Sequence, residues 1–229
     1  MIEIEILYED NHVLVVEKPR NMPVQEDSSE DTDLLNVLKL DIKERYNKPG
    51  NVYLALVHRL DRPVGGAIIF AKTSKAASRL SDSLRRQAIK RHYYAIVRGT
   101  IDQDKGRLEH KLWKERKRNE VHVVKPNDKR GKEARLRYEV LGRKNNLTLV
   151  RVALETGRSH QIRVQFAAIG HPLYGDQKYG SKVNRHGQQI ALWSTEITFP
   201  HPTKKEPITV RSYPPLEDPW IYWTSVDYK

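Results

Sequence analysis

The sequence predicts an α+β fold: a mixed, largely antiparallel central sheet with flanking helices. Three observations lead there. Short alternating or β-branched runs outnumber helical ones, they follow one another at hairpin-like spacings, and three stretches carry apolar residues at the helical period. With 229 residues, 38% of them hydrophobic, the chain can build a core as one large domain or two small ones.

Taken in order, Ile2, Ile4 and Ile6 alternate with Glu3 and Glu5, the period of a strand with one buried face, and Asp10-Asn11 turns the chain into a second strand over 13–16. Lys18-Pro19 ends it. Asp31 or Thr32 can cap a helix to about residue 46 with Leu34, Leu35, Leu38 and Ile42 inward, stopped by Asn47-Lys48-Pro49-Gly50. Residues 52–57 and 67–71 read as buried strands, with the polar segment 58–63 wedged between them, and polar residues in that position suggest a site. Thr73 or Ser74 caps a second helix to about residue 86. Strands follow at 93–97, 107–112, 121–124, 135–141 and 147–154. A third helix over about 159–169 ends at Gly170, and short strands close the chain at 191–193, 196–199 and 208–210.

Charge is unevenly distributed. The formal net charge is +12, yet residues 1–36 carry 10 acids against 2 bases, whereas residues 105–144 carry 15 bases against 6 acids. A second basic group, Arg85, Arg86, Lys90 and Arg91, precedes Tyr93 and Tyr94. Clustered cations beside aromatic rings suit a nucleic-acid backbone, and they equally suit a solvated surface; charge by itself names no reaction. The absence of cysteine excludes disulfides, thiolate metal sites and a cysteine nucleophile, and fits a reducing compartment. No apolar run approaches the roughly 20 residues of a membrane helix, and the first ten residues are acidic where a signal peptide would be basic. The expectation is a cytoplasmic protein that does not engage a membrane.

Two segments could carry chemistry. His58-Arg59-Leu60-Asp61 sets an imidazole, a guanidinium and a carboxylate at the end of a buried strand. Asp61 there is either a nucleophile or base held ionised, or a turn residue paired with Arg59. In Thr156-Gly157-Arg158-Ser159-His160-Gln161-Ile162-Arg163, a glycine leads into a helix start bearing Arg158, His160 and Arg163. Arg158 and Arg163, five apart, face different directions, so one can reach phosphate while the other enters a pocket, or both are solvated. The segment 170–176 reads as a packing loop built around glycines. The nine histidines show no metal-ligand spacing, and no phosphate loop or dinucleotide fingerprint occurs, so neither a metal nor a cofactor is expected.

Together these segments resemble the RluA-type RNA pseudouridine synthases over about residues 9–214. His58-Arg59-Leu60-Asp61 followed by Gly66 is similar to the central motif of that family, with Asp61 as the catalytic aspartate. Residues 90–99 match its tyrosine motif and place the active-site tyrosine at Tyr93, and residues 154–163 match a block whose final arginine, Arg163, is the implied partner of the aspartate. Residues 170–180 and Phe199-Pro200-His201-Pro202 match two further blocks. This chain departs from the family at Val64-Gly65, Asn21, Gln165 and Trp193-Ser194, which bears on pocket detail and target choice.

The resemblance implies one catalytic domain over 1–229 without an N-terminal S4-like domain, a monomer, and the isomerisation of uridines in ribosomal or transfer RNA without a cofactor. Asp61 would act on the ribose, Tyr93 would stack on the flipped uracil, and Arg59 would fill the space the base vacates, with His58, Arg158 and His160 also expected at the RNA. The alternative is a non-catalytic RNA-binding or RNA-folding protein on the same scaffold. A carboxylate-dependent glycoside hydrolase would want a second positioned acid, which the motif blocks do not offer.

Overall fold

The computed structural model describes residues 3–27 and 29–223. In chain order its elements are β1 (Ile6–Glu9), β2 (Val13–Lys18), α1 (Leu34–Arg45), β3 (Ala55–Leu56), β4 (Gly65–Ala71), α2 (Ser74–Arg85), β5 (Lys90–Arg98), β6 (Lys105–Glu115), β7 (Glu120–Val124), β8 (Lys132–Lys144), β9 (Leu147–Leu154), α3 (Gln161–Ala168), β10 (Leu192–Pro200) and β11 (Pro207–Arg211). A single turn of 3-10 helix follows at Trp220–Tyr222. Every strand pairing with a described register is antiparallel, and the α+β expectation holds. No helix among the described residues is long and apolar enough to cross a membrane.

The chain divides into two compact units, the first formed by residues 1–91 and 194–213. Its strands run in the order β1-β2-β4-β10, with β3 added on β4 and β11 on β10. In β2 and β4 nearly every side chain is buried, and Val13, Val15, Ile69 and Ala71 pack with Ala76 and Leu80 of α2 and with Ile197 and Phe199. Thr73 caps α2 by accepting Ala76 N–H at 3.2 Å. Gly66 is required where β4 meets β10: its φ is +106° and a Cβ there would stand 2.3 Å from the Ser194 carbonyl oxygen.

The second unit, residues 92–193 and 214–229, has its strands in the antiparallel order β5-β9-β8-β6-β7. α3 packs against β6 and β7, with Val164 buried among Leu112, Val121 and Ala134. Trp193, Trp220 and Trp223 are buried with Tyr94, Ile96 and Leu149, so these tryptophans are core rather than base-stacking surfaces. The basic stretch 105–132 is ordered secondary structure, the β6–β7 hairpin and the connection into β8.

Several boundaries differ from the sequence reading. Of the strand expected over 2–6, Ile2 lies outside the described residues, Glu5 contributes only a carbonyl that accepts Glu17 N–H, and β1 begins at Ile6. The cap of α1 is Asp33, whose carboxylate accepts Asn36 N–H at 3.0 Å, two residues beyond Asp31. Val52, Leu54 and Val57 are buried, yet only Ala55 and Leu56 pair in a ladder, because apolar burial on a loop mimics a strand pattern. The separate strands at 191–193 and 196–199 are one, β10: Ser194 and Thr195, which look like a break, are buried with their hydroxyls donating to the carbonyls of Ala67 and Ser212, each at 2.8 Å.

Candidate active site

In the first unit the residues between β3 and β4 form a braced turn. The Asp61 carbonyl accepts Val64 N–H at 3.0 Å. Beneath it lies Lys18, the last residue of β2, fully buried, with Nζ donating to the carbonyls of Pro19, Arg62 and Val64 at 2.7, 2.9 and 2.8 Å. All three ammonium protons are therefore spent on backbone flanking Asp61. Burial pushes the Lys18 pKa down to about 7, while the charge of Asp61 acts to raise it, which places the two groups within electrostatic reach. From outside, Arg62 donates through Nε to Asn21 O at 3.2 Å and through Nη1 to Ser29 Oγ at 2.9 Å, and its Nη2 pairs with Asp31. Asn21 takes φ 63°, a left-handed conformation that asparagine tolerates.

The three sequence candidates on this turn sit differently. Arg59 is exposed and forms no side-chain hydrogen bond or ion pair among the described residues. Asp61 is half-buried. His58 points inward at 7% exposure, its Nε2 accepting Ile69 N–H at 3.4 Å, and burial together with the Arg91 cation pushes its pKa down to about 3. At neutral pH His58 is thus an uncharged brace between the turn and β4.

In the second unit α3 and the loop before it carry the other candidates. Gln161 organises the helix start: its Oε1 accepts Thr156 Oγ–H at 2.8 Å and Arg158 N–H at 3.0 Å, and its Nε2 donates to Arg135 O at 3.0 Å. Gln165 donates to Leu108 O and Ala134 O and thereby ties α3 to β6 and β8. Arg158 is exposed, with Nε donating to Glu133 O at the start of β8 at 2.9 Å. His160 adopts φ 51° and rests its Nδ1 2.6 Å from Tyr179 Oη.

Arg163 is 7% exposed, and the carboxylate on its Nε–Nη2 edge is Asp176, held at 2.8 and 2.9 Å in a bidentate pair. Asp176 is 1% exposed and also accepts Lys178 N–H and Tyr179 N–H at 2.9 and 3.1 Å. The guanidinium stacks over the Tyr179 ring at 5.2 Å. Sequence reasoning gave neither Asp176 nor Tyr179 a role: it read residues 170–176 as a packing loop and residues 170–180 only as a block of the resemblance. That reading is right for Gly175, whose φ is +75° and whose Cβ would stand 2.1 Å from Gln189 O. The signal it passed over was an acid two residues before another charged group in a segment that otherwise packs. Tyr93 is 4% exposed on β5, opposite Val152 of β9.

The structure thus gathers His58, Arg59 and Asp61 on one braced turn, and Arg158, His160 and Arg163 around the start of α3. Glu115, Glu120 and His122 on the β6–β7 hairpin also bring ligand atoms within 4.8 Å of one another, at an exposed place where His122 stacks on Trp113 and Arg118 approaches Glu115 at 3.8 Å.

Comparison with known proteins gives a consistent picture. The model of the RNA pseudouridylate synthase family matches residues 12–168. An uncharacterized RNA pseudouridine synthase of Aquifex aeolicus is 35% identical over 219 residues, covering 90% of this chain and 67% of the relative. The dual-specificity RNA pseudouridine synthase RluA of Haemophilus influenzae is 33% identical over 214 residues, covering 90% of this chain and 91% of the relative. Ribosomal large subunit pseudouridine synthase D of Pseudomonas aeruginosa is 40% identical over 188 residues, covering 79% of this chain and 55% of the relative. Among solved structures, human RNA Pseudouridylate Synthase Domain Containing 4 superposes with a TM-score of 0.80 at 20% identity, covering 95% of this chain and 90% of that one.

Proposed function

The chain belongs to the RNA pseudouridylate synthase family, and from that premise we propose that it isomerises selected uridines in structured RNA to pseudouridine, with Asp61 acting on the ribose. The observation that carries the reading is the Asp61 turn: a carboxylate on backbone clamped by a buried ammonium from one side and a guanidinium fork from the other. Three neutral carbonyls hold the Lys18 ammonium in place, within electrostatic reach of the Asp61 carboxylate.

The reaction breaks the C1′–N1 bond, joins C1′ to C5 of the same uracil, and leaves a proton on N1 in place of the one lost from C5. No electron is gained or lost. The uracil must leave the stack, detach and rotate; extrusion costs a few kcal/mol, least from a loop or single strand. An ionised Asp61 serves two routes to detachment, attack on C1′ or removal of the 2′ proton, and both require the carboxylate aimed and unprotonated. Tyr93 supplies a ring face for the detached base near C5, and Arg163 supplies the buried positive charge of the site. Arg59, exposed and unpaired among the described residues, fills the gap in the RNA stack. Arg158 and His160 contact the RNA from the α3 side, and His58 serves by holding the turn. The substrate is RNA, with ribosomal and transfer RNA both within the reading, and the exposed cations of the β6–β7 hairpin supply phosphate contacts.

Pseudouridine mapping by carbodiimide stops tests this on RNA from cells lacking the protein and from the same cells given back wild type or Asp61→Asn. A site that disappears and returns only with wild type identifies the reaction, the target and the acid together. Loss of no site, with RNA still bound by the purified protein, would leave an RNA-binding role in place of catalysis.

A further inference from the structure

The turn at residues 176–179 holds Arg163 with one side and the β6–β7 hairpin with the other. On the helix side, Asp176 takes the guanidinium in two hydrogen bonds and the Tyr179 ring lies under it. On the hairpin side, Val121 N–H of β7 donates to Tyr179 Oη at 2.8 Å, and Lys178 Nζ reaches the carbonyls of Arg118 and Asn119 at the hairpin tip at 3.4 and 3.3 Å. The same hydroxyl meets His160 Nδ1, so one oxygen joins β7 to the residue that begins α3. Apolar packing follows that line: Val121 and Val164, the neighbour of Arg163, share one buried cluster with Tyr179 against it. At the tip, Arg116, Lys117 and Arg118 are exposed. A cationic tip and a buried cation therefore share one rigid turn, and four hydrogen bonds to a carboxylate and a hydroxyl fix its geometry.

We infer that Tyr179 is a positioning residue that makes the orientation of Arg163 depend on the β6–β7 hairpin, so that RNA phosphates held at the hairpin tip set the guanidinium for turnover. The inference rests on the reading of Arg163 given above and adds the element through which the RNA contact reaches it. Tyr179 does its work through Arg163 and touches no reacting atom.

The test compares wild type, Tyr179→Phe, Lys178→Met and Asp61→Asn on an in vitro transcript containing the mapped uridine. Tyr179→Phe keeps the ring under Arg163 and deletes the oxygen that joins β7 to His160. Its kcat is expected to fall about threefold to tenfold, the scale of one lost buried hydrogen bond, with KM for the transcript unchanged within about twofold and the Arg163 Nε–H resonance displaced. Lys178→Met is expected to lower kcat in the same sense and carries the test if Tyr179→Phe does not fold. Unchanged kcat, or a loss confined to KM or to thermal stability with the Arg163 resonance unmoved, overturns the inference. Full activity of Asp61→Asn would instead overturn the catalytic reading, so the two failures are separately visible.

Discussion

Acidification from pH 7 to pH 5 should destabilise the fold by about 2 kcal/mol through His58 alone. The imidazole is 7% exposed, accepts Ile69 N–H and has a folded pKa pushed down to about 3, while in the unfolded chain it titrates near 6.5. Between these values the unfolded chain binds a proton that the native site refuses. Stability is thus fully present above about pH 6.5 and is lost as pH falls, at about 1.4 kcal/mol per pH unit. From about pH 6.5 down to pH 5 this gives the figure above, with no screening discount for so buried a group. Asp10, held down to about 2 by its backbone and His201 bonds against an opposing burial effect, matters below about pH 4, and Lys18 matters above about pH 7, whereas His110, which burial also shifts downward, acts in the same direction as His58 and cancels in the comparison with a His58 variant. Urea unfolding followed by circular dichroism at pH 7 and pH 5, on wild type and His58→Asn, isolates the contribution as a difference of differences. An equal pH 5 loss in both proteins, within about 0.5 kcal/mol, would refute a neutral, desolvated His58, and with it the account of how the Asp61 turn is braced against β4.

Two further outcomes follow from the second unit. Asp176→Asn removes the buried negative charge that the Arg163 Nε and Nη2 groups hold and should cost up to about 3 kcal/mol, a fall in Tm of up to roughly 6–12 °C; a calorimetric Tm within about 2 °C of wild type would mean that the other contacts of Arg163 balance the guanidinium. Replacing Arg116 and Lys117 of the hairpin tip together by glutamine should flatten the slope of log RNA affinity against log salt by up to about 0.7–0.9 for each phosphate that is no longer neutralised, and an unchanged slope would place the phosphate-binding cations elsewhere.

Legibility in the sequence followed the range of the interactions. α2, whose cap and apolar period are local, is legible to within a residue, since Thr73 and the spacing of Ala76 and Leu80 are sufficient instructions. β10 was split because buried serine and threonine hydroxyls are satisfied by carbonyls far away in sequence, which no local pattern announces. At the site, Asp61 and Arg163 stood out as charges in an apolar context. The residues that hold them did not: Lys18 lies 44 positions from Arg62, whose carbonyl it binds, and Asp176 lies 13 beyond Arg163 across a loop. Charge in a strand or loop reads as solvated until its partners are known, and here the partners are backbone carbonyls and a second buried charge.

The sealed ammonium of Lys18 also makes the Asp61 turn chemically reportable. An amine-reactive label can modify Lys18 only while β2 and the turn have parted, because its three bonds and complete burial leave no approach to Nζ in the closed state. Its labelling rate, set against that of exposed lysines in the same digest, therefore clocks the opening of the Asp61 turn. RNA that holds the turn shut would slow that clock without touching Lys18 itself.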